Sequence, residues 1–358
     1  MGQGSPHASA SDPFRAAPSA LPADSEIAEA HLDLVHTNPN VLSASPGLLN
    51  ITELCAPLRV AYWAWELESF PEGWQAQFEH FDEIWCPSAY CAQSLARRSP
   101  IPVIAVPHLP DWHRLDALHQ RRQQQHRPAA APFRFLCLFD HWSTPERKNP
   151  AGAIAAFQAA FPMNQGDQPS VELWIKSNSS DQFPQQHHQL RQRSADDPRI
   201  HWVDQLLQPA ALDDLLCNAD ALISLHRAEG FGLNLADAMA IGLPVVATAY
   251  SANLEFMPLG SAALIPWQPV RLNHNCGDYR SGDLWAEPDL ASAALALRRL
   301  VLDPAYAADL AGQGAKAIRE RLASDRLVPI VRERLTQLML RPSRRQLMAQ
   351  IPASDRQA

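Results

Sequence analysis

Six short apolar runs separated by helix-length segments fill residues 133–266, and this alternation constrains the fold more than any other feature. FRFLCLF (133–139), VELWIK (171–176), IHWV (200–203), ALISL (221–225), PVVAT (244–248) and AALIP (262–266) read as strands. Helical spacing occupies the intervals at 149–161, 183–193, 209–218 and 233–241, and the stretch from Pro288 to Leu340 reads as largely helical. A chain that alternates strand and helix must cross over between strands, so the sheet is parallel and covered on both faces. A smaller alternation precedes it. HLDLVH (31–36), RVAYWAW (59–65), DEIWCP (82–87) and PVIAVP (102–107) are strand candidates; EGWQAQFEHF (72–81) and SAYCAQSLARR (88–98) have helical spacing, with Ser88 as N-cap. The expected class is therefore α/β, with two doubly wound sheets and a cleft between them.

Composition narrows the function. Apolar residues make up 46% of the 358 and charged residues 19%, the balance of a chain with real cores. A formal charge of −8 argues against nucleic acid as the main partner. No apolar run approaches the roughly 18 residues a membrane span needs. Residues Met1 to Ala30 show neither a basic start nor an apolar h-region, so no signal peptide is expected. The six cysteines include no C-x-x-C pair, which suits free thiols and a cytoplasmic location. Residues 1–28, rich in Ala, Pro and Ser, are expected to be disordered, and the Gln/Arg/His-rich stretch 113–132 reads as a solvated interdomain linker. That leaves an N-terminal domain over 29–112, a C-terminal domain over 133–320, and a helix and tail over 321–358. Among 30 basic residues only Lys148, Lys176 and Lys316 are lysine. In so arginine-biased a chain, a surviving lysine marks a place where a compact point charge is wanted, with chance survival on the surface as the alternative.

The informative segment is SLHRAEGFGLNLADAMAIGLPVVAT (224–248). A strand ends, a polar loop follows, and Gly230-Phe231-Gly232 opens a helix. Glycines there let backbone approach a ligand, and the free N–H groups of a first helical turn favour an anion. Arg227 on the loop would add a cation for phosphate oxygens. Glu229 at the loop's end and Asp237 two turns into the helix would hold hydroxyls at opposite ends of an elongated ligand.

This segment resembles the E-x7-E region of retaining glycosyltransferases of the GT-B fold. The resemblance extends through FDHWSTPERKNPAGAIAAFQAAF (139–161), YSANLEFM (250–257) and GDYRSGDLWAEPDLASAA (277–294). Upstream, YWAWELESFPEGW (62–74) and FDEIWCPSAY (81–90) are similar to a subgroup acting in bacterial surface-polysaccharide assembly. The resemblance implies two Rossmann-like domains, nucleotide-sugar binding in the C-terminal one and acceptor contacts from the N-terminal one. By position, Glu229 would bind donor sugar hydroxyls, and Gly230, Phe231, Gly232 and Leu233 would present amides to sugar and diphosphate. Asp237 takes the place of the ribose-binding glutamate. Lys148 matches the family's diphosphate lysine, and Lys176 would share its sheet edge.

The N-terminal domain lacks the family's first strand and glycine loop, so it is read as reduced or truncated. A second basic residue, usual after the first C-terminal strand, is replaced by Asp140-His141-Trp142. No Asp-x-Asp pair occurs, so the resemblance implies a metal-independent enzyme that needs no cofactor. Lys148, Arg227 and the helix N-terminus would neutralise the diphosphate. Glu66 and His36 are acceptor-side candidates, with a purely structural reading open for each. Trp63, Trp65, Trp74 and Trp85 read as core, Asp289 as a helix cap, and Cys86 and Cys91 as packed thiols. The expected partners are a nucleotide-sugar donor and a glycan or lipid-linked acceptor, with peripheral membrane association left open. The alternatives are a binding subunit without full catalytic power, sugar-nucleotide epimerisation and phosphorolysis.

Overall fold

The computed structural model describes residues 31–44, 54, 56–125, 128, 130–163 and 169–342. The expected disordered segment 1–28 lies outside the described residues. Two parallel sheets organise the chain. The first has β1 (Leu32–Val35), β2 (Leu58–Tyr62), β3 (Glu83–Cys86) and β4 (Val103–Ala105) in chain order. The second has order β10-β9-β8-β5-β6-β7, from β5 (Phe133–Asp140), β6 (Val171–Asn178), β7 (Ile200–Val203), β8 (Ala221–Ser224), β9 (Val245–Thr248) and β10 (Ala263–Ile265). All pairings in both are parallel. The order reverses between neighbours β5 and β8. Ligands of such sheets bind beyond the carboxyl ends of the strands at a reversal of this kind.

The alternation of β5 explains the layering. Phe135, Cys137 and Phe139 face one core, with the helices Pro150–Ala160 and Leu290–Leu302. Leu136 faces the other, with the helices Leu233–Ala240 and Pro304–Leu322. The helix Ala89–Ala96 begins at Ser88, whose hydroxyl accepts from the Cys91 amide at 3.1 Å. Asp289 caps the helix Leu290–Leu302 through the Ser292 amide at 2.6 Å. The four tryptophans read as core divide in their burial: Trp63, Trp65 and Trp85 are buried, whereas Trp74 is only partly so and packs against that core.

Three features depart from the sequence reading. The stretch read as a solvated linker over 113–132 is instead mostly a helix, Trp112–Gln124. Asp111 caps it by accepting from the Arg114 amide, and Leu115 and Leu118 are buried in the second domain's core. Two leucines three residues apart, with Trp112 packed beside the same core, seat a helix whose other residues are mostly polar. The 72–81 segment forms a 3-10 helix, Glu72–His80. An antiparallel hairpin of β11 (Trp267–Arg271) and β12 (Leu284–Pro288), unforeseen from sequence, carries Leu272, Cys276, Tyr279 and Trp285 into the core of the first domain.

The last helix, Ser324–Met339, returns to the first sheet, where Val331, Leu335 and Leu338 meet Leu58, Val60 and Trp85. There Arg334 pairs with buried Glu83, whose carboxylate also accepts from Trp85 Nε1 at 2.8 Å.

Candidate functional site

Two loops flank the strand-order reversal, one after β5 and one after β8. Asn149 locks them together. Its backbone is left-handed (φ 54°), its Oδ1 caps the helix Pro150–Ala160 at the Gly152 amide (3.0 Å), and its Nδ2 donates to Leu225 O (2.9 Å). A Cβ on Gly152 would meet the Asn149 side chain at 2.4 Å, so glycine is required there. Further lacing comes from the Arg227 amide, which donates to Arg147 O (2.7 Å), and from Arg147 Nη1, which donates to Ala228 O (2.8 Å).

This lacing assembles a line of four charges. Glu229, only 6% exposed, accepts from Lys148 Nζ at 2.5 Å and lies 3.4 Å from Arg147. Arg147, 3% exposed, lies 3.4 Å from Glu66 on its other side. Tyr279 of the hairpin insertion donates to Glu66 at 2.9 Å. The order is Glu66, Arg147, Glu229, Lys148, with alternating sign. Burial alone would raise the Glu229 pKa, but Lys148, then Arg147, outweigh it and hold the carboxyl at about 2. Burial likewise opposes the charge on Arg147, and Glu66 and Glu229 more than restore it.

His226 supports the loop from beneath. It is fully buried, with Nδ1 3.1 Å from Ser224 Oγ and Nε2 3.3 Å from both Tyr250 O and Asn253 Oδ1. Burial lowers its pKa, so the neutral ring acts as a strut. Ser251 Oγ accepts from the Glu229 amide at 2.8 Å.

Gly230 ties the loop after β8 to the start of the helix Ala89–Ala96. Its carbonyl accepts from Ser88 Oγ (2.7 Å) and Cys91 Sγ (3.2 Å), and a Cβ there would stand 3.2 Å from that sulfur. Gly232 has φ 97° and precedes the helix Leu233–Ala240, whose first N–H groups have no intrahelical acceptor. Phe231 packs on Phe256 with its other edge against His108, and Leu233 is exposed. Glu255 adds a second tie, its carboxylate accepting from the Ala89 and Tyr90 amides at 3.0 and 2.9 Å.

The remaining expected site residues stand apart from the charged line. Arg227, expected as a cation for phosphate oxygens, grips Glu287 through Nε (2.5 Å) and Nη2 (2.9 Å) and donates to Glu146 O (2.5 Å). A guanidinium held by a carboxylate fork is a latch between the loop and β12. Asp237 accepts from Arg114 at 2.9 Å, and Arg114 also binds Asp213. Burial raises the Asp237 pKa against the pull of Arg114. Lys176 is buried and bends back to Ser177 O (2.7 Å) and Asn178 Oδ1 of its own strand. His36 stacks on Tyr62 with ring centroids 4.4 Å apart. Sequence reasoning singled out neither Arg147 nor Tyr279. The Arg147-Lys148 doublet was the only signal for the first, and nothing local marks the second.

Burial lowers the Lys176 pKa to about 8. The folded state then binds fewer protons than the unfolded state between that value and the ordinary lysine pKa of about 10.4, so stability should rise with pH across that window. In denaturant titrations from pH 7.5 to 10, Lys176→Met should flatten that rise. An unchanged slope would place the effect on another group.

With the site in view, comparison with known proteins gives it a context. Residues 143–269 match the family model described as glycosyl transferases group 1. That span includes Lys148, Glu229, the glycine loop and Asp237. No match is found among curated proteins. The fold is that of GT-B glycosyltransferase structures. Sucrose-phosphate synthase from Thermosynechococcus elongatus superposes with a TM-score of 0.62 at 18% identity, over 88% of this chain and 75% of that one. HepE from Anabaena, in complex with UDP and glucose, gives 0.61 at 15% identity, over 87% and 80%. A UDP-forming α,α-trehalose-phosphate synthase from Burkholderia xenovorans gives 0.61 at 13% identity, over 86% and 73%. Among the described residues no helix is long and apolar enough to cross a membrane, and no cluster of His, Cys, Asp and Glu could hold a metal ion.

Proposed function

We propose that the protein transfers a sugar from a nucleotide-diphosphate sugar to a glycan or lipid-linked acceptor, with retention of configuration and without a metal ion. The observation that carries this reading is the Lys148–Glu229 pair at the strand-order reversal, beside the N-terminus of the helix Leu233–Ala240. A diphosphate entering there would draw Lys148 away from Glu229, and Arg147 would keep Glu229 ionised. A carboxylate kept ionised by its neighbouring guanidinium accepts hydrogen bonds from sugar hydroxyls. Lys148 and the helix N-terminus would stabilise charge on the departing diphosphate. The acceptor hydroxyl would attack from the same face and pass its proton to a leaving phosphate oxygen. Glu66, tied to the same line by Arg147 and Tyr279, would serve the acceptor side. UDP is the first nucleotide to test, given its presence in the HepE complex.

Thermal stabilisation by a panel of nucleotide sugars, followed by donor hydrolysis and anomer analysis of the product, tests the proposal. An inverted product would overturn retention. Activity should survive excess chelator; a loss restored by magnesium or manganese would overturn the metal-free clamp. Glu229→Ala should cost more for an intact sugar nucleotide than for the nucleoside diphosphate, while Asp237→Ala should weaken both alike. Equal penalties in all four titrations would refute the division of roles. The rival reading is a nucleotide-sugar-binding subunit without full catalytic power. Stabilisation by donors with no transfer to any acceptor would select it.

A further inference from the structure

Apart from the charged line, a cavity of about 330 Å³ lies between the end of the helix Ala89–Ala96, the segment after Glu66 and the hairpin insertion. That volume is at the small end of the roughly 300–1,000 Å³ usual for ligand pockets. Its wall combines Arg97, Arg98 and Arg271 with Glu68 and Asp283. Among the described residues none of these three arginines forms an ion pair. Arg97 reaches only Glu68 O at 3.5 Å, and Arg271 only Gly282 O at 2.9 Å. Ser94 also lines the cavity; it is 2% exposed and its hydroxyl has no partner. Guanidinium N–H groups without an ion-pair partner can hold a ligand with acceptors.

We propose that this cavity binds one acidic saccharide unit, a hexuronate carrying a single carboxylate. The charges of the wall choose the class. Three cations against two carboxylates leave one positive charge, matching a monoanion. A guanidinium pairs with a planar carboxylate in bidentate fashion. Glu68 and Asp283 would repel a bare phosphate dianion but accept from sugar hydroxyls. Leu284 and the edge of Phe70 supply the apolar surface on which a sugar ring's C–H face rests. The saccharide rests on the glycosyl-transfer reading, since an acceptor glycan running past Glu66 would reach this wall with a unit distant from the reacting one.

Calorimetric titration of the full chain with cellobiouronic acid, one glucuronate joined to glucose, tests it, with cellobiose and inorganic phosphate as comparison probes. The acid should bind at least about tenfold more tightly than cellobiose, the effect of one charge-assisted hydrogen bond. Arg98→Gln with Arg271→Gln, both at exposed positions, should remove that advantage and leave UDP binding unchanged. Equal affinity for acid and neutral disaccharide, full affinity in the double variant, or equal competition by phosphate would each overturn the proposal. Loss of UDP binding in the parent with the acid still bound would instead sink the donor assignment and leave this subsite standing.

Discussion

Arg147→Ala should destabilise the protein by about 3–5 kcal/mol, the cost of stripping the partner from a buried ion pair. The guanidinium lies between Glu66 and Glu229, and its loss leaves Glu229 buried with Lys148 alone. It also removes the donor to Ala228 O, so the loop after β8 loses part of its attachment to the loop after β5. Denaturant titration at pH 7 reads the effect. A loss under about 1 kcal/mol would mean that water replaces the guanidinium at no cost and that the site is wetter than the packing shows. Acid supplies a second check. Glu229 has a depressed folded pKa, so its stabilisation is complete above the ordinary carboxyl pKa of about 4.3 and disappears as pH falls toward about 2. Arg147→Ala should shrink that acid-dependent loss.

Lys148→Ala should weaken nucleoside-diphosphate binding by about 1.5–3 kcal/mol, the range for a hydrogen bond to a charged group. In the proposed donor complex the ammonium would reach the diphosphate, and removing it leaves Glu229 without its nearest cation, with Arg147 still beside it. Two effects of the same sign place the expected loss toward the upper end of the range. Lys316, which lies exposed on the helix Pro304–Leu322 and pairs with Glu320, serves as the control and should change nothing. Equal calorimetric affinities for Lys148→Ala and the parent would remove Lys148 from the donor site.

Most of the strand positions and the site's central segment were legible in the sequence, because burial on both faces of a parallel sheet forces continuous apolar runs. The ten strands expected from those runs are present, with no end moved by more than three residues. The helix Trp112–Gln124 escaped because a polar composition concealed its two buried leucines, and the hairpin escaped because WQPVR and LWAEP lack regular alternation.

What the sequence determined by itself was the α/β class and the position of the glycine loop at a helix start. These depend on local spacing and on residue types whose conformational needs are intrinsic, such as Gly232 at positive φ. The tertiary structure alone decided how each charge is spent. Arg227 is committed to Glu287, 60 residues away in sequence, and Asp237 to Arg114, 123 residues away. Arg147, adjacent to the expected lysine, becomes the buried cation between two carboxylates from different domains. A side chain's charge is a local property, but its partner is whatever folding brings within a few ångströms, and no local pattern encodes that distance.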